Sequence, residues 1–184
     1  MGSAMLIDAA RSTLLVVDLQ TRMVPAVADH DAVIFSAVWL IRAAQRLGVP
    51  VAAVEQYPQG LGPLVPAVRE LLPATSIAAK NHFSCVAARC LSGLPGSERA
   101  QMVLLGAETH VCVLQSALGL LAEGKEVFVV ADATASRRTL DRDVALARMR
   151  DEGVRIVTRE MVVFEWLREA GTPLFREINK DFLR

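Results

Sequence analysis

One phrase recurs along this chain: a helix-period segment, then a glycine, then a short run rich in β-branched residues. It reads "IRAAQRLGVPVAAVE", "LGLLAEGKEVFVVAD" and "LARMRDEGVRIVTRE". Gly48, Gly124 and Gly153 stand where a helix C-terminus calls for a left-handed residue, which glycine adopts without a Cβ clash. The runs that follow are apolar without alternation. Strands covered by helices on both faces read that way, as in a parallel sheet. The pattern predicts strands at Thr13–Val17, Val49–Val54, Ser76–Ala79, Met102–Leu105, Glu126–Ala131 and Val154–Val157. Helices are expected between them, at Asp31–Leu47, Leu64–Leu72, Ser84–Leu91, Thr109–Glu123 and Thr139–Glu152. Another helix is expected from Glu160 and a tail helix at Pro173–Phe182. Strands alternating with helices imply an α/β fold with right-handed crossovers. The densest Pro/Gly stretch, "YPQGLGPLVP", is too short for a domain boundary, so residues 1–184 are expected to form a single domain.

The ends of the strands carry the functional signal. Asp18, Glu55, Lys80 and Asp132 end the first, second, third and fifth strands, and the fourth passes Gly106 to reach Glu108. In open α/β sheets ligands bind outside the carboxyl ends of the strands, where strand order reverses. Loops are polar in any case, so each residue alone says little. Together they point to a site.

Composition and motifs remove several functions. Twenty basic and twenty acidic residues cancel, and no basic run is present, which speaks against nucleic acid and anionic membrane surfaces as partners. No apolar run approaches the ~20 residues of a membrane span. Three cysteines, Cys85, Cys90 and Cys112, suit a reducing compartment better than a disulfide framework. The start, "MGSAMLIDAARS", does not read as a secretory signal, so a cytoplasmic protein is expected. Phosphate-loop, dinucleotide-binding and serine-elbow motifs are missing, so no cofactor is expected. His30, His82 and His110 are scattered, without metal-ligand spacing. Cys85 and Cys90 share one short apolar segment and read as packing residues.

Cys112 stands apart, at the start of a helix just past a strand end. There the helix dipole and unpaired N–H groups favour a thiolate and could hold an oxyanion. On position alone, packing is still the stronger reading of a small cysteine in a helix that is apolar almost all round. Asp18 and Lys80, which cap other strands, could converge on it; so could His82 or His110, in a different thiol chemistry.

"LLVVDLQ", "AAKNHFS" and "LLGAETHVCVLQSALGLLAEGKEVFVVADATASR" resemble the three signature regions of the isochorismatase-like cysteine hydrolases. "EQYPQGLGPLVPAV", "DRDVALARMRDEG" and "LFREINK" are similar to the isochorismatase-domain-containing branch, so the resemblance runs through nearly the whole chain. It implies a Rossmann-like three-layer sandwich with a six-stranded parallel sheet in order 3-2-1-4-5-6 and helices on both faces. It implies an Asp–Lys–Cys triad, which maps onto Asp18, Lys80 and Cys112. It also implies a cis peptide between Ala107 and Glu108, aiming the Glu108 N–H, with that of Cys112, at a substrate carbonyl oxygen. Gln20, Gln56, Tyr57, Phe83, Ala107 and His110 are the candidate pocket residues. Nicotinamidases are similar but bind a metal through an aspartate and histidines after the second strand. "EQYPQGLGP" has no histidine, so no metal is expected. Isochorismatases proper lack the cysteine. The resemblance therefore implies a cysteine amidohydrolase that acts on a small-molecule C–N bond through a thioester, in a homo-oligomer. The alternative is a binding or scaffolding protein on the same fold, with Cys112 inert or redox-active.

Overall fold

A computed structural model describes residues 5–183. Its six strands are β1 (Ser12–Val17), β2 (Val51–Gln56), β3 (Ile77–Lys80), β4 (Gln101–Ala107), β5 (Glu126–Ala135) and β6 (Arg155–Val157). All pairings are parallel, in the order β3-β2-β1-β4-β5-β6. The helices are α1 (His30–Arg46), α2 (Pro58–Leu61), α3 (Pro66–Arg69), α4 (Leu114–Ala122), α5 (Thr139–Asp151), α6 (Arg159–Leu167) and α7 (Pro173–Phe182). This is the three-layer α/β sandwich that the strand–helix alternation and the resemblance imply. None of the described helices is long and apolar enough to cross a membrane.

The two-residue period of β1 divides the interior into two cores. Leu14 and Val16 pack on one face with α1, α6 and Ile178 of α7; Leu15 and Val17 pack on the other with α4 and α5. Both faces of the central strands are buried, which is why their sequences do not alternate. Strand order reverses between β1 and β4. Their carboxyl ends therefore open the crevice where such sheets bind ligands.

That crevice depends on one glycine. Gly106 pairs with Val17 and has φ +126°, and a Cβ built there would lie 2.0 Å from the Val17 carbonyl oxygen. Only a residue without a side chain lets β4 come this close to the turn into Asp18. Gly106→Ala is expected to cost about 4 kcal/mol, from backbone strain plus steric overlap. That corresponds to a fall in Tm of roughly 10 °C for a domain of this size. Thermal unfolding followed by circular dichroism checks this; an unchanged Tm would mean that β1 and β4 can separate freely at this point.

Three local expectations are revised. Ser84–Leu91 forms turns instead of a helix. The Cys85 N–H is drawn onto Ser116 Oγ of α4 at 3.1 Å, and Arg89 has φ +52°, which ends any helical run. The helix expected over Leu64–Leu72 shrinks to α3 because Leu64 bridges to Gln20 and donates its N–H to Glu55 Oε1 at 2.8 Å. β5 continues past Ala131 to Ala135, with a register shift against β4 between Leu104 and Gly106. Asp132 thus lies within the irregular part of β5, not at its end, and it accepts the N–H of Arg159 at the start of α6.

Candidate active site

Asp18, Lys80 and Cys112 follow or end β1, β3 and β4 at one edge of the sheet, and the fold brings their side chains together. Lys80 Nζ donates to Asp18 Oδ2 at 2.7 Å, and both side chains are fully buried. A second Nζ proton goes to Gln56 Oε1, also at 2.7 Å. The Lys80 charge also draws the Cys112 thiol pKa down, though less than burial and Asp18 push it up. The ammonium is held between the Asp18 carboxylate and the Gln56 amide oxygen.

Asp18 is held in a left-handed conformation, φ +52°, as the chain leaves β1. Its Oδ1 is buried and has no hydrogen-bond partner among the described residues. The Cys112 thiol lies near enough to lower the Asp18 pKa, but it makes no well-aligned hydrogen bond to Oδ1 in this conformation. Burial pushes the Asp18 carboxyl above its ordinary value; the Lys80 charge, and then the thiol, offset part of that rise. Burial also pushes the Cys112 thiol well above its ordinary value, and the neighbouring Asp18 charge pushes it further. This reverses the expectation from the helix dipole. Cys112 is 4% exposed, and desolvation of a thiolate outweighs the pull of a helix N-terminus. The resting site therefore holds a neutral thiol beside a buried Asp18–Lys80 ion pair.

The helix start itself is unusual. Thr109–Val113 forms a π-helical turn before α4. The Glu108 carbonyl accepts the N–H groups of Val111 and Val113, stepping past Cys112. The Thr109 hydroxyl lies 3.0 Å from that of Thr134, which donates to the Gly106 carbonyl at 2.8 Å, so β5 braces the turn. The Ala107–Glu108 peptide is cis. The Glu108 carboxylate is held by Arg137 Nε at 2.8 Å, with His110 Nε2 at 3.6 Å, and His110 Nδ1 lies 2.9 Å from Ser136 Oγ.

The pocket residues sort differently. Gln20 is fully buried and its amide is used up by loop backbone: Nε2 donates to the carbonyls of Gln56 and Gly62, and Oε1 accepts the Gln56 N–H. It fastens the loop after β2, with both Nε2 protons engaged there. Gln56 is likewise committed, accepting from Lys80 and donating to the Asn81 carbonyl. Its role is to position Lys80. Ala107 is fully buried in the core on the α1 side, away from the thiol. Tyr57 does face open space. It lines a cavity of about 550 Å³ with Gln59, Lys80, Asn81 and His82. Phe83 is exposed just beyond His82. His110 borders a different groove, against α5. Gln59 and Asn81 were not singled out from the sequence, although both lie next to Tyr57 or Lys80, and His82 was named only as an alternative partner of the thiol. Cys85 is buried behind the site, its thiol pushed up to about 11, mainly by desolvation.

The model of the isochorismatase domain matches residues 12–161, from the first residue of β1 into α6. The chain belongs to the isochorismatase domain family. Within that family it is 42% identical over 172 residues to isochorismatase domain-containing protein 2A of Mus musculus, covering 92% of this chain and 81% of the relative. Among solved structures it is similar to a MAR1 ribonuclease from Caenorhabditis elegans, with a TM-score of 0.87, 34% identity, and coverage of 98% of this chain and 93% of the other. It is also similar to YcaC from Pseudomonas aeruginosa, determined with hexane-2,5-diol and covalent acrylamide. There the TM-score is 0.90 and the identity 26%, covering all of this chain and 94% of the other. An isochorismatase-domain sheet in which acid, lysine and thiol meet at the switch point is thus the frame for any function assigned to this protein.

Proposed function

We propose that this protein is a cysteine hydrolase that cleaves a small amide or related C–N bond through a thioester. The observation that carries this reading is the fully buried Asp18–Lys80 pair, with one Asp18 oxygen unpartnered and the carboxyl and the Cys112 thiol near enough for each to shift the other's pKa. In the proposed cycle, Asp18 takes the Cys112 proton as the sulfur attacks the substrate carbonyl. Lys80 offsets the negative charge as it passes from carboxylate to sulfur. The oxyanion is received by the N–H groups of Glu108 and Cys112. Protonated Asp18 then gives its proton to the leaving nitrogen. In the second half it takes a proton from the water that cleaves the thioester and returns it to the departing Cys112 sulfur. Because the thiol is neutral at rest, proton transfer and attack belong to one event in the bound complex.

Two things support the reading. The cavity beside Lys80 is lined by polar groups of Gln59, Asn81 and His82 and suits a small polar substrate. The related YcaC carries covalent acrylamide, a small electrophilic amide. The C. elegans relative suggests a second reading, cleavage of RNA. Equal numbers of acidic and basic residues give this chain no general attraction for a phosphate backbone. RNA nevertheless belongs in the assay as a substrate arm. Nuclease activity that survives Cys112→Ala while amide turnover is absent would favour RNA cleavage. We also take the working protein to be a homo-oligomer.

The deciding test compares alkylation with turnover in Asp18→Asn. The Asp18 charge raises the Cys112 pKa, so its removal leaves Lys80 alone to favour the thiolate. Iodoacetamide labelling of Cys112, resolved by mass spectrometry, is expected to be slow in the wild type until well above the ~8.5 pKa of a free thiol. In Asp18→Asn it should shift to lower pH. Amide hydrolysis, read as ammonia or amine release from a panel of small amides, should nonetheless disappear, because the proton acceptor is gone. A variant whose labelling profile and turnover both match wild type would sink the assignment of Asp18 as the base.

A further inference from the structure

Helix α5 buries Ala145, Leu146 and Met149 on one side. Yet Leu140 and Val144, one turn apart on another side, are 68% and 59% exposed. They border a groove of about 270 Å³ shared with His110, Leu114, Asp141 and Arg148. A lone exposed leucine is ordinary. The charges around this pair are not.

Asp141, Val144, Arg148 and Asp151 recur at steps of three and four, which places them in one stripe of α5, while Arg137 and Arg138 lie in the extended segment just before its first turn. The stripe changes sign about its middle. Arg137, Arg138 and Asp141 lie on one side of the Val144–Ala145 bond, and Arg148, Asp151 and Glu152 lie on the other. A two-fold axis at that bond would set α5 antiparallel to its own copy. Arg137 would then oppose the second copy's Glu152, Arg138 its Asp151, and Asp141 its Arg148, each pairing occurring twice.

Within one copy the stripe is only half satisfied. Arg138 holds Asp141 at 2.9 Å and Arg137 holds Glu108 at 2.8 Å, through arginine side chains 74% and 63% exposed. Such exposed pairs are worth little and exchange readily. Arg148, Asp151 and Glu152 make no ion pair among the described residues. Self-complementarity of this kind is what an isologous contact requires, because each copy must present both halves of every pair.

We propose that the Arg137–Glu152 face of α5 is a two-fold contact between copies of this chain, with Leu140 and Val144 at its apolar centre. The contact would also cover His110, on the outer side of the Glu108–Arg137 pair. It stands independently of the proposed chemistry.

The test is charge exchange read by sedimentation velocity. Asp141→Arg and Arg148→Asp should each sediment at half the wild-type mass, with wild-type circular dichroism. Mixed in equal amounts they should regain the wild-type mass, because every opposed pair is again of opposite sign. The double variant carrying both substitutions should regain it alone. Val144→Glu, at an exposed position, should also halve the mass and serves if either charge variant fails to fold. A wild type that is monomeric at every loading overturns the proposal, whether the face then stays bare or takes another protein. So does wild-type mass persisting in the single variants, or a mixture that stays apart.

Discussion

Cys112→Ala should abolish amide turnover, with a loss of roughly 10⁴-fold or more, as for the removal of other covalent nucleophiles. Cys112→Ser should fare little better. Asp18 can accept a proton from a thiol that sits beside it, but an alcohol is several units less acidic, and Lys80 offers only one shared ammonium to offset the charge. The fold should barely register either change. Cys112 is small and packs in the core with Leu15, Val17 and Val113, so its loss costs about 1 kcal/mol and leaves a cavity smaller than a water. Activity and stability are thus expected to separate cleanly. Turnover of the amide panel, beside thermal unfolding of the same preparations, measures both. Residual turnover near the wild-type level in Cys112→Ala would assign the chemistry to another group.

Lys80→Met should produce the opposite profile, with a large loss of stability. The substitution leaves the Asp18 carboxylate buried and unpaired and removes the partner of Gln56 Oε1. Breaking a buried pair on one side costs about 3–5 kcal/mol. The cost depends on pH, and its sign follows from Asp18. The Lys80 charge is the main influence holding the Asp18 pKa down against burial, so without it that pKa rises further. A carboxyl whose folded pKa lies above its unfolded value stabilises the fold below the unfolded value, ~3.9. That contribution is lost as pH rises through the folded pKa. The deficit of Lys80→Met against wild type should therefore be small in mild acid and grow toward neutral pH. Asp18→Asn combined with Lys80→Met removes both charges and should recover more than half of the neutral-pH loss. Urea unfolding at two pH values measures this. A deficit independent of pH would mean that Asp18 stays neutral in the folded protein.

The strand–helix order was legible because α1, α4 and α5 each run into a glycine and the buried strands are mostly continuous apolar runs; those are local signals. Asp18 and Lys80 stand at strand ends, which periodicity reveals, whereas Cys112 was singled out by the family resemblance, since its position alone favoured packing. The structural hydrogen bonds of Gln20 and Gln56 were not legible in the sequence, for a physical reason. Their partners are loop carbonyls and a lysine at long sequence separation, which periodicity does not reveal. The stretch Ser84–Leu91 has a helix-like composition, but its conformation is set by Ser116 on another element. The direction of the Cys112 shift was misjudged because the helix dipole can be read from position, whereas burial depends on the packing of the whole core.

The two-core construction has a consequence for how the protein can change. Asp18 and the lead-in to Cys112 extend from β1 and β4, central strands packed on both faces, whose amides should be among the slowest to exchange with solvent. The cavity wall of Tyr57, Gln59, Asn81 and His82 is built from connections at the rim of the sheet. Substitutions there fall outside the interior that sets global stability. Selection can therefore rework what the cavity admits while Asp18 and the lead-in to Cys112 stay fixed on the central strands and Lys80 is held by its pairing with Asp18 and Gln56. A lineage built on this sheet can diversify in substrates and keep one reaction.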